Sequence, residues 1–427
     1  METRSALFVR QRRRWALPVV LAVLCVAAVA CVPADGSAPP GDTRFDAYRW
    51  SRVADDAPWG RRAGVEAVNL NGSFFLVGGR TPNPYTPFPE GPIPGDSTIW
   101  GDVWRSDDSG RTWVEVLATE DSPWPARSYH EVVVQGSRMV LLGGQNFLLE
   151  PNPACARDLI CFPRKVPRSD FFNDVWASDD GTDWELLTEH APWEGRAGLS
   201  AAVLDGEIYV MGGSVNDDQA ITFGPPDRKL FNDVWKSSDG INWERATASA
   251  PWAPRAGAAV VVKDGYLYLL GGEFAFTGYP PPYFNDVWRT RNGTDWELVT
   301  PSAGWSPRPG HTCDVLEGTI VCFGGYGQSP NPLDPFGTAN PTDVWTSEDG
   351  RTWVELLGKP WNATSQSQIR YDYDTLVAPG GPGTVGDAIY TFGGDRENFN
   401  FFDPTQWRRV DDDVWRFALP YGAGATG

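Results

Sequence analysis

The side chains that could do chemistry in this chain fall into two groups, those that recur at fixed intervals and those that do not. An arginine recurs as Arg62, Arg127, Arg196, Arg255 and Arg308, and an aspartate as Asp102, Asp174, Asp233, Asp286, Asp343 and Asp413. Opposite charges that repeat in step with one another are expected to pair with one another, in structural hydrogen bonds or ion pairs. A ligand site should break such symmetry. The residues that follow each Gly-Gly doublet do so: Arg80, Gln145, Ser214, Glu273, Tyr326 and Asp395. These six are the candidate ligand contacts, and Arg80, Glu273 and Asp395 are also of the types that acid–base chemistry uses. Trp100 and Trp407 join them as tryptophans outside the repeating pattern. The three histidines, His130, His190 and His311, are too few and too scattered for a metal centre. His130 and His311 hold equivalent places in two repeats, which marks them as structural. No metal and no other cofactor is expected.

The elements that must position these residues are written in the tryptophans. Eighteen of the twenty-one form three columns of six. One column is the Trp of Asp-Val-Trp (Trp104, Trp176, Trp235, Trp288, Trp345, Trp415). A second follows after a turn (Trp113, Trp184, Trp243, Trp296, Trp353). A third opens each unit, usually as Pro-Trp (Trp59, Trp124, Trp193, Trp252, Trp305, Trp361). Gly-Gly doublets end an apolar run in every unit, from Gly78-Gly79 to Gly393-Gly394. A period of roughly 50 to 70 residues built this way reads as a β-propeller with one four-stranded antiparallel blade per repeat. The fold class is all-β, with six blades.

The second column lacks its sixth member at the C-terminal end, and Trp50 supplies it from the other end of the chain. Trp50 precedes Trp59 by the interval that separates Trp184 from Trp193. Residues 45–53 are therefore expected as the outer strand of the last blade, closing the ring and removing two open sheet edges. In the sixth unit Thr364 stands where the other units carry the arginine, and Arg370 is the nearest candidate.

Up-and-down connectivity sorts the connections onto two faces. Tight turns such as Asn71-Gly72, Asp205-Gly206 and Asp264-Gly265 suit two-residue hairpins. The second-to-third connections are long in every blade: 80–101, 145–172, 214–231, 273–284, 326–341 and 395–411. Connections beyond about 12–15 residues are usually functional or unstructured. Six of them on one face make a surface, rich in aromatics that can stack on sugars or anchor a peptide.

The first fourteen residues hold five arginines, and an apolar run to Ala30 follows, which is a signal-peptide pattern over residues 1–30. Ala-Val-Ala-Cys at Ala28–Cys31 resembles a lipobox, so lipidation at Cys31 is expected, with membrane attachment only through that anchor. Residues 31–43 read as a flexible tether, residues 44–419 as the propeller and residues 420–427 as a disordered tail. Setting Cys31 aside leaves Cys155, Cys161, Cys313 and Cys322. Cys313 and Cys322 flank Glu317-Gly318 symmetrically, so they face each other in a hairpin at a non-hydrogen-bonded pair, where side chains lie closest. A disulfide is plausible there, and Cys155 with Cys161 could staple one loop. The formal charge of −19 repels phosphate backbones, so nucleic acid is not an expected partner. The expected partner is a glycan or protein met by a monomer outside the cytoplasm.

Gly-Gly doublets followed by two spaced tryptophans, with Pro-Arg-Pro-Gly-His at Pro307–His311, resemble kelch repeats, and the resemblance covers nearly the whole chain. It implies a six-bladed kelch-type β-propeller of the galactose-oxidase-like superfamily, in a bacterial lipoprotein. Ser106–Trp113 also resembles the Asp-box turn of sialidase-like propellers, although the other copies are one residue short. Kelch propellers are mostly binding platforms, and a shared fold does not choose among activities. The resemblance therefore implies a binding protein, with a carbohydrate-active enzyme, mutarotase-like or sialidase-like, as the alternative.

Overall fold

The computed structural model describes residues 43–84, 97–156, 165–215, 228–275, 282–329, 331, 338–398 and 404–422. Cys31, Cys161 and the terminal segments assigned above to leader, tether and distal tail lie outside them. Six four-stranded antiparallel sheets repeat along the chain, each running from an inner to an outer strand. Blade 1 comprises Glu66–Leu70, Ser73–Pro82, Ser97–Ser106 and Val114–Leu117. The inner strands of blades 2 to 6 are Glu131–Gln135, Ala197–Leu204, Ala259–Lys263, His311–Leu316 and Asp374–Pro379. Among the described residues no helix is long and apolar enough to cross a membrane.

The ring closes as the tryptophan spacing requires. Arg49–Ala54 pairs antiparallel with Val414–Pro420, placing Trp50 opposite Phe417 and Ser51 opposite Arg416. Trp50 then packs on Trp361 with ring centroids 5.7 Å apart. The corresponding pairs in the other blades are Trp59–Trp113, Trp124–Trp184, Trp193–Trp243, Trp252–Trp296 and Trp305–Trp353. Each pair joins the segment entering a blade to that blade's own outer strand. The third-column indoles are buried, and offset or edge-to-face pairs of this kind add about 0.5–1.5 kcal/mol beyond area burial.

A second repeated device fixes the inner half of every blade. Arg62, Arg127, Arg196, Arg255, Arg308 and Arg370 each pair with the blade's aspartate: Asp102, Asp174, Asp233, Asp286, Asp343 and Asp413. Arg370 thus fills the place that Thr364 leaves vacant. Each guanidinium also donates to the carbonyl of the first glycine of its own doublet. In five blades the Asp-Val-Trp indole donates to the same carboxylate. The backbone carbonyl of each arginine accepts the N–H of the second glycine of the preceding blade, from Gly79 to Arg127 round to Gly394 to Arg62. Only glycine fits: a Cβ on Gly79 would lie 2.5 Å from Val65, at a φ of +99°.

In blades 2, 4, 5 and 6 the second strand ends at the doublet, as the sequence suggests, whereas in blades 1 and 3 it runs on through a kink there. In blade 1 pairing resumes past the kink, with Arg80 opposite Ile99 and Pro82 opposite Ser97. Gln145–Pro151 and Lys165–Phe171 form a seven-rung ribbon in blade 2. Shorter pairings continue the others at Ser214–Leu230, Glu273–Tyr283, Gln328–Thr338 and Asp395–Val410. The positive φ angles of Gly-Gly re-aim the chain, and the ladder is interrupted at the doublet before pairing resumes beyond it. Cys313 and Cys322 sit directly opposite each other with Cα atoms 4.2 Å apart and are disulfide-bonded. Cys155 is also disulfide-bonded.

Candidate functional site

Two residues beyond each clasp arginine, the inner strands begin in a closed circle of hydrogen bonds. Gly64 N–H donates to Asp372, Tyr129 to Gly64, Gly198 to Tyr129, Gly257 to Gly198, Gly310 to Gly257, and Asp372 to Gly310. All six adopt φ between +51° and +62°. Four are glycine, for which that region is free of strain. Tyr129 and Asp372 are not, and a bulky residue held at positive φ is a strained outlier, of a kind that clusters at functional sites. The Tyr129 ring lies over Gly64 and the Asp372 carboxylate over Gly310. This iris rings the propeller axis at the end of the inner strands from which the long connections spring.

Beside the iris, symmetry breaks down further. The Arg80 guanidinium donates to Tyr129 Oη at 2.7 Å, to the Asp395 carboxylate, and to Glu397 Oε2 at 2.9 Å. Glu397 N–H donates to Asp395 Oδ1 at 2.6 Å. Tyr371 donates to the Glu397 carbonyl and packs edge-on against Tyr326, which packs edge-on against Tyr283. Glu273 pairs with Arg228 at 2.8 Å. One belt therefore draws residues from blade 1, blade 2 and blades 4 to 6, together with Arg228 from a connection in blade 3.

The belt's electrostatics follow from one cation facing two buried carboxyls. Burial pushes Glu397 well above the usual carboxylate range; Arg80 opposes the shift and the Asp395 charge adds to it. Asp395 is also raised by burial, against the pull of Arg80. Burial raises Tyr129 and Tyr371 far beyond the ordinary phenol range. The arrangement is one guanidinium shared by two buried carboxyls, both raised by burial, and framed by buried tyrosines. Such a set can accept and donate hydrogen bonds to a polyhydroxylated ligand, and Glu397 can hold a proton.

The structure brings together four of the sequence candidates. Arg80 and Asp395 touch, Tyr326 joins them through Tyr371, and Glu273 joins Tyr326 through Tyr283. Gln145 and Ser214 are buried at the same station of their blades, paired with Ser128 and Ala197. Trp100 has a structural place that its sequence context hid. It stacks 4.9 Å over Arg62, as Phe172, Phe231 and Phe284 stack over Arg127, Arg196 and Arg255. Each lies two residues before the blade aspartate, and that spacing could have revealed the column. Trp407 lies in a short 3-10 helix, Pro404–Arg408, with its side chain outside the described set. Tyr129, Asp372, Tyr371 and Glu397 were not anticipated, although the Gly-to-Tyr and Gly-to-Asp exchanges two residues past the arginine were visible. His130 and His311 are buried and pushed down to about 3, first by burial and then by Arg127 and Arg308, so both stay neutral. Among the described residues no group of three or more His, Cys, Asp or Glu side chains could hold a metal ion.

Below the iris a channel of about 440 Å³ runs along the six inner strands. Its wall carries Glu66, Glu131, Asp314 and Asp374, and none of the six post-doublet residues lines it. The six iris residues line one end of it, and Tyr129 belongs to both cavity wall and belt.

Comparison with known proteins agrees with this architecture. Residues 164–297 match the DUF6242 beta propeller domain. The chain is 24% identical over 393 residues to the putative adagio-like protein 2 of Oryza sativa, covering 86% of this chain and 51% of that protein. It is 28% identical over 223 residues to Kelch domain-containing protein 3 of Rattus norvegicus, covering 50% of each. The chain spans about half the length of these relatives. The solved structure of YjhT superposes with a TM-score of 0.56 at 17% identity, covering 85% of this chain and 96% of that one. That likeness shows the fold alone. The chain is a six-bladed β-propeller, similar in sequence to kelch-domain proteins.

Proposed function

We propose that this propeller binds a carbohydrate through the face built by its second-to-third connections, without catalysis, in an extracytoplasmic setting. The observation that carries the reading is the loss of sixfold symmetry at the mouth. Strained Tyr129 and Asp372 replace glycine there, and Arg80, Asp395 and Glu397 replace residues that differ in every other blade. Strain and a buried charge cluster persist only where the surroundings over-determine them. Tyrosine faces, a guanidinium and carboxyls are the groups that recognise sugar rings and hydroxyls. The Cys313–Cys322 disulfide suits an oxidising compartment.

A glycan array probed with the wild type and with Tyr129→Phe and Trp407→Ala variants tests this. Selective binding that weakens at least tenfold in the variants supports it. Binding to no glycan, with capture of a defined protein ligand instead, would replace it. One observation favours a second reading as a carbohydrate-active enzyme: the buried Glu397 carboxyl, raised by burial, beside the Arg80–Asp395 pair. Turnover of a free sugar, abolished in Glu397→Gln, would establish that alternative.

A further inference from the structure

We propose that the inner strands carry a pH-sensitive clasp between neighbouring blades, closed under mildly acidic conditions and loosened under mildly alkaline ones. The clasp is built from side chains four residues past the arginines, each reaching the inner strand of the next blade. Asp374 of blade 6 accepts the Ala67 N–H of blade 1. Glu66 of blade 1 accepts the Val132 N–H of blade 2 at 3.5 Å, and Glu131 of blade 2 accepts the Ala201 N–H of blade 3. In blade 3 the equivalent residue is Ser200, whose hydroxyl donates to the Ala258 carbonyl at 2.8 Å. Asp314 of blade 5, two residues further along its strand than that station, meets Thr375 of blade 6. Edge strands have backbone groups with no partner in their own sheet, and these contacts satisfy several of them across blade boundaries.

The carboxyls face one another across a cavity with no lysine or arginine in its wall. The other titratable groups lining it are His130 and His311, which are neutral, and Tyr129, Asp372 and Tyr373. Burial raises all four carboxyls. Asp374 and Asp314 reach about 7, while Glu66 and Glu131 lie well above their usual range, with Asp374 pushing both upward. A neutral carboxyl still accepts an amide N–H through its carbonyl oxygen. Ionisation places like charges in one cavity without a counter-ion.

The direction follows from linkage. These folded-state values exceed the unfolded ones, so the stabilisation is complete below the unfolded carboxylate range and is lost progressively between that range and the folded values, about 7 for Asp374 and Asp314 and higher for Glu66 and Glu131. In that window each titrating group raises the unfolding constant about tenfold per pH unit. The iris residues Gly64, Tyr129 and Asp372 lie two positions before Glu66, Glu131 and Asp374 on the same chain segments, so loosening the clasp relaxes the floor of the mouth.

Denaturant unfolding of the full chain between pH 5.5 and 8.5 tests the clasp, using wild type, Glu131→Gln and the Glu66→Gln/Asp374→Asn double variant. The wild type should lose stability as pH rises, by at least tenfold in the unfolding constant across the range, and the amide variants should flatten that slope. Hydrogen exchange at the Ala67 and Val132 amides of the wild type provides a readout that needs no variant to fold. Protection at these amides should fall selectively at high pH. Equal slopes in wild type and folded variants, or protection that does not change with pH, would overturn the proposal.

Discussion

The clasps that hold the blades and the belt at the mouth are made of the same residue types, yet they solve opposite problems. In each Arg–Asp clasp one arginine meets the blade aspartate, with Asp411 joining Asp413 on Arg370 in blade 6. Burial of Asp233 works against its ionisation, but Arg196 outweighs it and holds the carboxyl below the usual range, and Asp174, Asp343 and Asp413 behave likewise. At the mouth one arginine meets two buried carboxyls, and Glu397 goes well above that range. Charge balance gives six copies of a rigid fastener. Charge imbalance at the mouth leaves an unsymmetrical set of donors and acceptors on one face. Repetition marks the scaffold, and its failure marks the candidate site.

Breaking the scaffold at its seam should have the largest effect. Deletion of residues 43–53 removes the outer strand of blade 6 and Trp50, and should abolish the cooperative thermal transition seen by calorimetry. Next comes a single clasp. Arg196→Met leaves Asp233 without its partner and should cost about 3–5 kcal/mol in urea unfolding. Arg80→Met should cost less, because Asp395 and Glu397 can take up protons, and its deficit should be smaller at pH 5 than at pH 8. Acid should expose the same contrast in the wild type. Asp174, Asp233, Asp343 and Asp413 are depressed, so their stabilisation is present above the unfolded aspartate range and lost as pH falls through the folded values. Stability followed by circular dichroism should therefore fall steeply below about pH 4. The smallest effects belong to the iris. Gly198→Ala should cost about 1 kcal/mol for its positive φ alone. Gly64→Ala should cost more, since its Cβ would sit 3.1 Å from the Tyr129 ring.

The parts of the molecule that the sequence revealed are those that repeat. Three tryptophan columns, the Arg–Asp pairing, Arg370 as the displaced sixth arginine and Trp50 as the borrowed strand all follow from comparing one unit with the next. The kink at Gly-Gly was harder to read, because a doublet that ends a strand and one that bends it look the same without the inter-blade carbonyl that accepts the glycine N–H. Trp100 seemed exceptional only because tryptophan replaces phenylalanine in its column. The belt was half legible: Arg80, Glu273, Tyr326 and Asp395 stood out as residues that differ between blades. Glu397, Tyr371 and Tyr283 come from irregular or shifted positions, and only the closed circle of the iris brings them within reach.

The N-terminal strand also orients the molecule. Arg44, just ahead of that strand, contacts the Glu317 carbonyl and Glu348, both in tight turns of blade 5. Thr43, the first described residue, therefore lies on the side opposite the ribbons. A bead, a fused domain or a surface coupled through that end would leave the ribboned side pointing outward, whereas attachment at the ribbons would bury it. Immobilisation for any capture assay should be made through the N-terminal end.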